Sequence, residues 1–470
     1  MTEITSSFYV AREPVFPRRV SGRFRRIKWL LMLLTLGVYY IIPWIRWDRG
    51  PNLPDQAVLI DLTGRRFYFF WIEIWPHEFY FIAGLLIMAG LGLFLFTSAL
   101  GRVWCGYACP QTVWTDLFIA VERWIEGDRN ARIKLHHSAW DLRKARLRLT
   151  KWAAWALIGL ATGGAWVFYF ADAPTLARDL VTLQAASVAY LTVAVLTATT
   201  FVFGGFMREQ ICTYMCPWPR IQAAMMDDTT LTVAYRDWRG EPRGKPRDPN
   251  AGDCVDCNAC FAVCPMGIDI RKGQQLECIT CALCIDACDD VMGKLGRERG
   301  LIGYLALSDE PRERAGEAPR AIWRHVLRPR TMIYAALWSL VGLALLYGLF
   351  IRTDFDATVA PVRNPTFVML ADGSVRNIYE VRLRNQHEAE RLFGLSVTGD
   401  PAIQLSIEGG AEGVAAVPAD KTQKLRVYVT ASPGSALAAA GTAPIRFWIE
   451  ELGTGSRSYV ESTFNGKGDQ

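Results

Sequence analysis

Five apolar stretches constrain this chain more than any other feature of its sequence. They lie at about residues 27–45, 79–100, 152–170, 187–206 and 331–351 and are almost free of charged side chains. An apolar helix of about 20 residues can cross the hydrocarbon core of a bilayer, which is roughly 30 Å thick. Hydrophobic residues make up 51% of the chain and charged residues 21%, which fits membrane spans joined to water-facing parts. The sequence therefore predicts five transmembrane helices.

The distribution of Arg and Lys predicts how these helices are oriented. The segment 1–27 is rich in Arg and the segment 101–151 is rich in both Arg and Lys, whereas the segment 171–186 contains only Arg178. Basic residues accumulate on the cytoplasmic side of membrane proteins. We therefore expect a multi-pass protein of the bacterial inner membrane, with the N-terminus and residues 207–330 in the cytoplasm and the C-terminus in the periplasm. The net charge of +6 is then a topology signal, and no nucleic-acid partner is expected.

Eight of the twelve cysteines form two copies of the motif C-x2-C-x2-C-x3-C. The first copy precedes Pro265, and the second precedes Asp289. This spacing is typical of ferredoxins with two 4Fe-4S clusters, in which the fourth cysteine of each motif ligates the other cluster. A zinc module is the alternative, but zinc sites use paired knuckles rather than three cysteines at this spacing. The motifs predict a first cysteine group of Cys254, Cys257, Cys260 and Cys288 and a second cysteine group of Cys264, Cys278, Cys281 and Cys284.

The other four cysteines form a repeated motif, C-x-Y-x-C-P, after the second and fourth apolar stretches. If each pair is helical, its sulfurs share one face. The proline suits the first turn of a following helix, whose N-terminus favours a thiolate on the preceding cysteine. Soft sulfur ligands favour Cu(I), so the motif predicts a catalytic and candidate copper-binding site, although small cysteines also simply pack at helix ends. These membrane-exit cysteines are Cys105, Cys109, Cys212 and Cys216.

The chain lacks the motifs of other redox cofactors. There is no C-x-x-C-H for haem c, no G-x-G-x-x-G for a flavin or nicotinamide, and no pair of histidines in the spans for haem b. We therefore expect an unidentified electron donor and the transfer of single electrons. The adjacent His136 and His137 lie in a basic loop and are interpreted as a solvated face.

Residues 352–470 contain short runs of alternating apolar and polar residues between Gly, Pro, Asp and Asn turns. This pattern predicts a small antiparallel β-sandwich, which we interpret as an interaction module.

The predicted organisation is a basic arm (1–27), a four-helix membrane region (28–206) with a cytoplasmic loop (101–151), a linker (207–253), a ferredoxin module (254–293), a linker (294–330), a fifth membrane helix (331–351) and a periplasmic domain (352–470).

Taken together, the motifs closely resemble those of the FixG/RdxA/CcoG family of cytochrome c oxidase accessory proteins. The resemblance lies in GRVWCGYACPQTVWTD (101–116), REQICTYMCPWPRIQ (208–222) and the ferredoxin block that ends at Asp290. It implies five spans, a double 4Fe-4S ferredoxin module and an immunoglobulin-like C-terminal domain. It also implies a cupric reductase that supplies Cu(I) for assembly of cbb-type cytochrome oxidase, with oxidase subunits or assembly factors as partners. A quinol-oxidising relay and a redox-sensing scaffold without turnover remain the alternatives.

Overall fold

The computed structural model describes residues 14–50, 53–352, 355–386, 389–399, 401, 403–409, 413–419 and 421–468, apart from the side chain of His77. The first half of the basic arm, residues 1–13, and His387 lie outside the described residues. The chain divides into two compact units. The first comprises Met1–Trp47 and Gln56–Leu345, and the second comprises Asp48–Asp55 and Leu346–Gln470.

The prediction of five membrane helices is confirmed. Within the described residues, the helical segments long and apolar enough to cross a membrane are Arg23–Trp44, Phe79–Leu100, Leu142–Tyr169, Ser187–Met215 and Pro329–Phe350. We call them the first to fifth membrane helices.

The third membrane helix starts at Leu142 rather than at about residue 152. Asp141 caps it, because its carboxylate accepts a hydrogen bond of 2.6 Å from the backbone N–H of Lys144. The Nζ atom of Lys144 in turn donates to the carbonyl oxygens of His136 and Ser138, at 3.0 and 2.5 Å. These bonds let a basic segment continue the apolar helix by more than two turns.

The fourth membrane helix runs to Met215, beyond the predicted end at residue 206. Its last part contains two π-helical segments, Val202–Met207 and Ile211–Met215. The first includes Gly205, where a β-carbon would lie 2.7 Å from the ring of Trp155. The wide turns thus allow a close approach of Trp155, and π-turns of this kind are frequent at functional sites.

Small residues hold the third and fourth membrane helices together. A β-carbon on Gly163 would lie 2.6 Å from the carbonyl oxygen of Leu196, and one on Gly159 would lie 3.1 Å from that of Thr197. Glycines four residues apart allow two helix backbones to approach closely in a membrane, where packing rather than the hydrophobic effect drives association.

The segment 101–141 is largely helical. Its main helix, Pro110–Glu126, packs against the third membrane helix and carries buried acids that pair with cations from other elements. Asp116, for example, lies 3.0 Å from both Arg25 and Lys28 at the start of the first membrane helix. Burial opposes ionisation of Asp116, but the two cations outweigh it and lower the pKa of this carboxyl.

The remaining helices and strands of the first unit are short. A strand pair, Thr232–Tyr235 with Ile302–Leu305, brings together the two ends of the segment that contains the ferredoxin motifs. A second sheet joins Val58–Asp61, Arg66–Phe69 and Ile72–Ile74. The short helices are Val103–Tyr107, Arg129–His137, Ala173–Val181, Arg208–Gln210, Trp218–Met225, Asp237–Gly240, Ala259–Val263, Leu283–Lys294, Glu310–Arg314 and Ile322–Val326.

The second unit is an antiparallel sandwich, as predicted. Its core includes Tyr379, whose hydroxyl donates to the carbonyl oxygen of Thr463 at 2.7 Å and so ties one sheet to the other. One short helix, Ala436–Ala439, completes it. In one sheet the strands follow the order Ile403–Ile407, Thr422–Ala431, Val375–Asn385, Phe355–Pro361. The short strand Val368–Met369 also pairs with Val375–Asn385. In the other sheet the order is Val414–Val417, Arg391–Thr398, Thr442–Glu451, Arg457–Asn465.

Candidate iron-sulfur and cysteine site

The two ferredoxin motifs form loops of the same backbone conformation. Asp256 and Asn258 in the first loop have φ angles of 49° and 55°, and Thr280 and Ala282, at the matching positions of the second loop, have 55° and 60°. Non-glycine residues rarely adopt positive φ, and such strain concentrates at functional sites. Its repetition at matching positions indicates that both loops wrap around the same kind of group.

The structure brings the first cysteine group together. Cys288 lies on the helix Leu283–Lys294, outside the loop that carries the other three members. Burial raises the pKa of the Cys288 thiol to about 12, and negative charge on Cys260 and on the rest of the group adds to this effect. Cys288 also packs in the same core cluster as Cys254 and Cys260, so the fourth cysteine of the second motif lies beside the first loop, as crossed ligation requires.

The second cysteine group lines one cavity. All four members face it, together with Cys260 and apolar side chains that include Met266 and Ile279. Burial raises the pKa of Cys264 to about 12, and Cys281 adds to this effect, so a cysteine of the first motif is close to the second loop. A cavity with sulfur donors and apolar walls fits a 4Fe-4S cluster.

Within the described part of the chain, no three Cys, His, Asp or Glu side chains are close enough to hold a single metal ion. A cluster of four irons binds each thiolate at a different corner, so its ligands stand further apart than those of one ion.

The membrane-exit cysteines differ in one respect from the helical arrangement considered above. The helix Val103–Tyr107 contains Cys105 but ends before Cys109, and the π-helical segment Ile211–Met215 ends before Cys216. Cys109 and Cys216 have extended ψ angles of 128° and 124°. Each precedes a proline, whose ring disfavours helical geometry in the preceding residue. Each pair therefore spans the end of a helical segment instead of sharing one helix face.

The structure nevertheless connects the segments that carry the two pairs. Burial raises the pKa of the Cys105 thiol to about 12, and Cys109, Cys212 and Cys216 all add to this effect. Cys105 also donates from Sγ to Oε1 of the fully buried Gln222, at 3.0 Å. The internal repeat thus assembles one candidate site from the ends of the second and fourth membrane helices.

This site lies directly against the second ferredoxin loop. A β-carbon on Gly106 would lie 2.6 Å from the carbonyl oxygen of Ile279 and 3.1 Å from the backbone nitrogen of Cys281. The hydroxyl of the neighbouring Tyr107 donates to the carbonyl oxygen of Cys281 at 3.1 Å. Cys105 itself packs against the core cluster that contains Ile279 and Cys281. The segment that carries Cys105 and Cys109 therefore lies directly against the second ferredoxin loop. No side chain separates the backbone of Gly106 from the backbone of this loop.

Arg102 joins the same two parts of the molecule. It is 3% exposed, and its Nη1 donates to the carbonyl oxygens of Leu276 and, at 3.2 Å, of Cys278. Its Nη2 donates to the carbonyl oxygen of Pro219, which follows the second C-x-Y-x-C-P motif. A buried positive charge consequently lies between the second cysteine group and the membrane-exit cysteines.

Arg102 provides a test of this electrostatic arrangement. A cation stabilises the more negative, reduced form of a nearby cluster, so we expect Arg102→Gln to lower the reduction potential of one cluster by roughly 50 mV, equivalent to about 1 kcal/mol. Redox titration followed by electron paramagnetic resonance measures this shift. Arg102→Lys is the control, because it keeps the charge and should stay close to wild type. An equal shift in both variants would contradict the electrostatic role.

Sequence reasoning did not identify Arg102, Gly106 or Gln222. One signal was available for Gly106, since the matching position of the second motif is Thr213. A glycine in one copy of a repeat indicates a place where that copy needs a close backbone approach. His136 and His137 are both exposed, in agreement with the interpretation as a solvated face.

These features define a membrane-anchored iron-sulfur electron-transfer protein with an immunoglobulin-like domain. Three family models match the chain: a 4Fe-4S binding domain at residues 81–130, a 4Fe-4S dicluster domain at 207–306 and the IG-like fold at the C-terminus of FixG at 345–467. The first two support two 4Fe-4S clusters.

Known proteins match along nearly the whole chain. Protein RdxB of Cereibacter sphaeroides is 66% identical, over 99% of this chain and 98% of its own length. Protein RdxA of the same organism is 61% identical, over 98% and 99%. Nitrogen fixation protein FixG of Rhizobium meliloti is 57% identical, over 92% and 89%. The chain belongs to the FixG/RdxA family.

Proposed function

We propose that this protein passes single electrons to copper and reduces Cu(II) to Cu(I) in support of cbb-type cytochrome oxidase assembly. The observation that carries the proposal is the contact of Gly106 and Tyr107 with Ile279 and Cys281. This contact sets a soft sulfur site beside one of the two ferredoxin cysteine groups. Each Cu(II) takes up one electron and becomes Cu(I), which thiolate ligands favour.

The residues have separate roles in this proposal. The first and second cysteine groups each hold one 4Fe-4S cluster, which when bound supplies one electron at a time. The membrane-exit cysteines bind copper. Because no three of their side chains form a ready-made single-ion site, the ion is held by two thiolates or after a side-chain rotation. Gln222 orients Cys105 through the hydrogen bond to its sulfur, and Thr97 orients Gln222 at 3.2 Å.

The placement in the cell is part of the same proposal. The distribution of Arg and Lys supports an inner-membrane protein with the ferredoxin module in the cytoplasm and residues 352–470 in the periplasm. The periplasmic sandwich then docks oxidase subunits or assembly factors, for which it needs no metal or catalytic residue.

Anaerobic addition of Cu(II) to the chemically reduced, purified protein tests this function. We expect one Cu(I), trapped by a chelator, for each cluster that is reoxidised, and the loss of both signals when the four membrane-exit cysteines are changed to Ser. Tyr214→Phe is the matched control, because Tyr214 lies in the second motif but is 74% exposed. Clusters that stay reduced in the presence of Cu(II) would refute the cupric reductase activity.

A further inference from the structure

A cavity of about 500 Å³ lies among the membrane helices and has no part in the function proposed above. Helix Pro110–Glu126 and the first, third and fourth membrane helices form its walls. Its volume falls within the range of small-molecule sites, roughly 300–1,000 Å³. Trp166 lines the cavity and is 46% exposed, so the cavity reaches the outer surface of the helix bundle. A lipid-soluble molecule could therefore enter from the bilayer.

The cavity extends to the membrane-exit cysteines. Ala108 and Pro110, on either side of Cys109, both line it. The same short segment contacts the second ferredoxin loop through Tyr107. A molecule bound at this end would consequently lie next to the sulfur site and one chain segment away from the second cysteine group.

The lining combines aromatic rings with hydrogen-bond donors. Tyr39, Trp114 and Trp166 supply rings that can pack on a flat head group. Thr200, which is 4% exposed, carries a hydroxyl, and Trp114 carries an indole N–H; both can donate a hydrogen bond to a ligand. These donors favour a ligand with acceptor oxygens over a hydrocarbon chain.

We propose that this cavity binds the head group of a membrane quinol, which serves as the electron donor. A quinone ring is flat and carries two oxygens that accept hydrogen bonds as the quinone and also donate them as the quinol. A phospholipid acyl chain would fill the apolar volume but would offer no acceptor to the hydroxyl of Thr200 or the indole N–H of Trp114. The proposal rests on the electron relay proposed above and names its donor.

The electron count agrees with this donor. Oxidation of one quinol to the quinone breaks two O–H bonds, releases two protons to water and yields two electrons. Two oxidised 4Fe-4S clusters take up one electron each. The residues of the cavity contribute by binding and orienting the ring beside Cys109.

The test measures binding of decylubiquinone, a short-tailed quinone, to the full-length protein in detergent by isothermal titration calorimetry. We expect saturable binding of one molecule per chain. Leu36→Trp, which fills the cavity from the first membrane helix, should weaken binding by about tenfold or more, and Thr200→Val by about threefold. Leu33→Trp is the matched control, because Leu33 is 66% exposed and outside the lining, and it should bind like wild type.

Three results would overturn the proposal: no saturable binding, equal affinity of Leu36→Trp and wild type, or displacement of the quinone by an equal concentration of short-chain phosphatidylcholine. Copper reduction by chemically reduced Leu36→Trp provides the check on folding, since it needs no quinol and should be unchanged. Calorimetry requires no copper, so a failure of the quinol proposal can be distinguished from a failure of the copper proposal.

Discussion

Replacing Gly106 with alanine is expected to slow electron transfer from the clusters to copper by about tenfold or more, equivalent to about 1.4 kcal/mol in the barrier. The added methyl group would lie 2.6 Å from the carbonyl oxygen of Ile279 and 3.1 Å from the backbone of Cys281. Both neighbours are backbone atoms of a cluster-binding loop, which cannot rotate away as a flexible side chain can. The loop must therefore move away from the membrane-exit cysteines, and the distance that the electron crosses increases.

Stopped-flow absorbance of the reduced clusters after addition of Cu(II) measures this rate. Gly90→Ala is the matched control, since a β-carbon on Gly90 meets no atom within 4 Å and alanine favours a helix more than glycine does. Cluster content should be measured in each variant, so that the rate is expressed per reduced cluster. Equal rates for Gly106→Ala and wild type would show that the contact has no role in electron transfer.

Replacing Glu122 with glutamine is expected to lower the free energy of unfolding by about 3–5 kcal/mol, because it leaves the buried Arg132 and Arg208 without the carboxylate that pairs with them. Glu122 is 2% exposed. Its carboxylate lies 2.9 Å from both Arg132 and Arg208 and 3.3 Å from Lys151. These three cations come from the short helix Arg129–His137 and from the third and fourth membrane helices, so one carboxylate holds together the elements around the membrane-exit cysteines.

The same carboxylate should make stability depend on pH. Burial opposes its ionisation, but Arg208, Lys151 and Arg132 outweigh this effect and lower the pKa of Glu122 from 4.5 to about 2. A depressed carboxyl pKa adds stability above the unfolded-state value, and that stability is lost as the pH falls from about 4.5 towards 2. We expect wild type to lose stability in this window and the Glu122→Gln variant to lose less.

Denaturation in mixed micelles of increasing dodecyl sulfate content measures both effects. Glu317→Gln is the matched control, because its partner Arg312 is 2.9 Å away but the two side chains are 58% and 42% exposed. Exposed pairs contribute about 0–1 kcal/mol. A Glu122→Gln variant that is as stable as the control would contradict the role of this buried charge network.

Sequence reasoning succeeded where local spacing determines the chemistry. The interval between cysteines decides which sulfurs one loop can present, so the spacing from Cys254 to Cys288 is by itself enough to indicate a double ferredoxin. Apolar length determined the five membrane helices in the same way. The bounds were less accurate, because Asp141 and the π-turns after Phe201 extend the third and fourth membrane helices beyond their apolar parts.

The contacts between distant segments could not be predicted. Gly106 meets Ile279 across more than 170 positions of sequence, and Gln222 meets Cys105 across 117. Each contact depends on how the second and fourth membrane helices pack, and apolar composition carries no information on which helices are neighbours. The cavity beside Cys109 has the same origin, since four separate helical segments enclose it.

X-ray absorption at the copper edge tests most directly whether the membrane-exit cysteines receive the metal. The protein is reduced, loaded with one equivalent of Cu(II) under anaerobic conditions and measured without a chelator. We expect Cu(I) with sulfur as its only ligands, and loss of this signature when Cys105, Cys109, Cys212 and Cys216 are changed to Ser. Copper with nitrogen or oxygen ligands, or a spectrum that is the same in the Ser variant, would contradict this expectation.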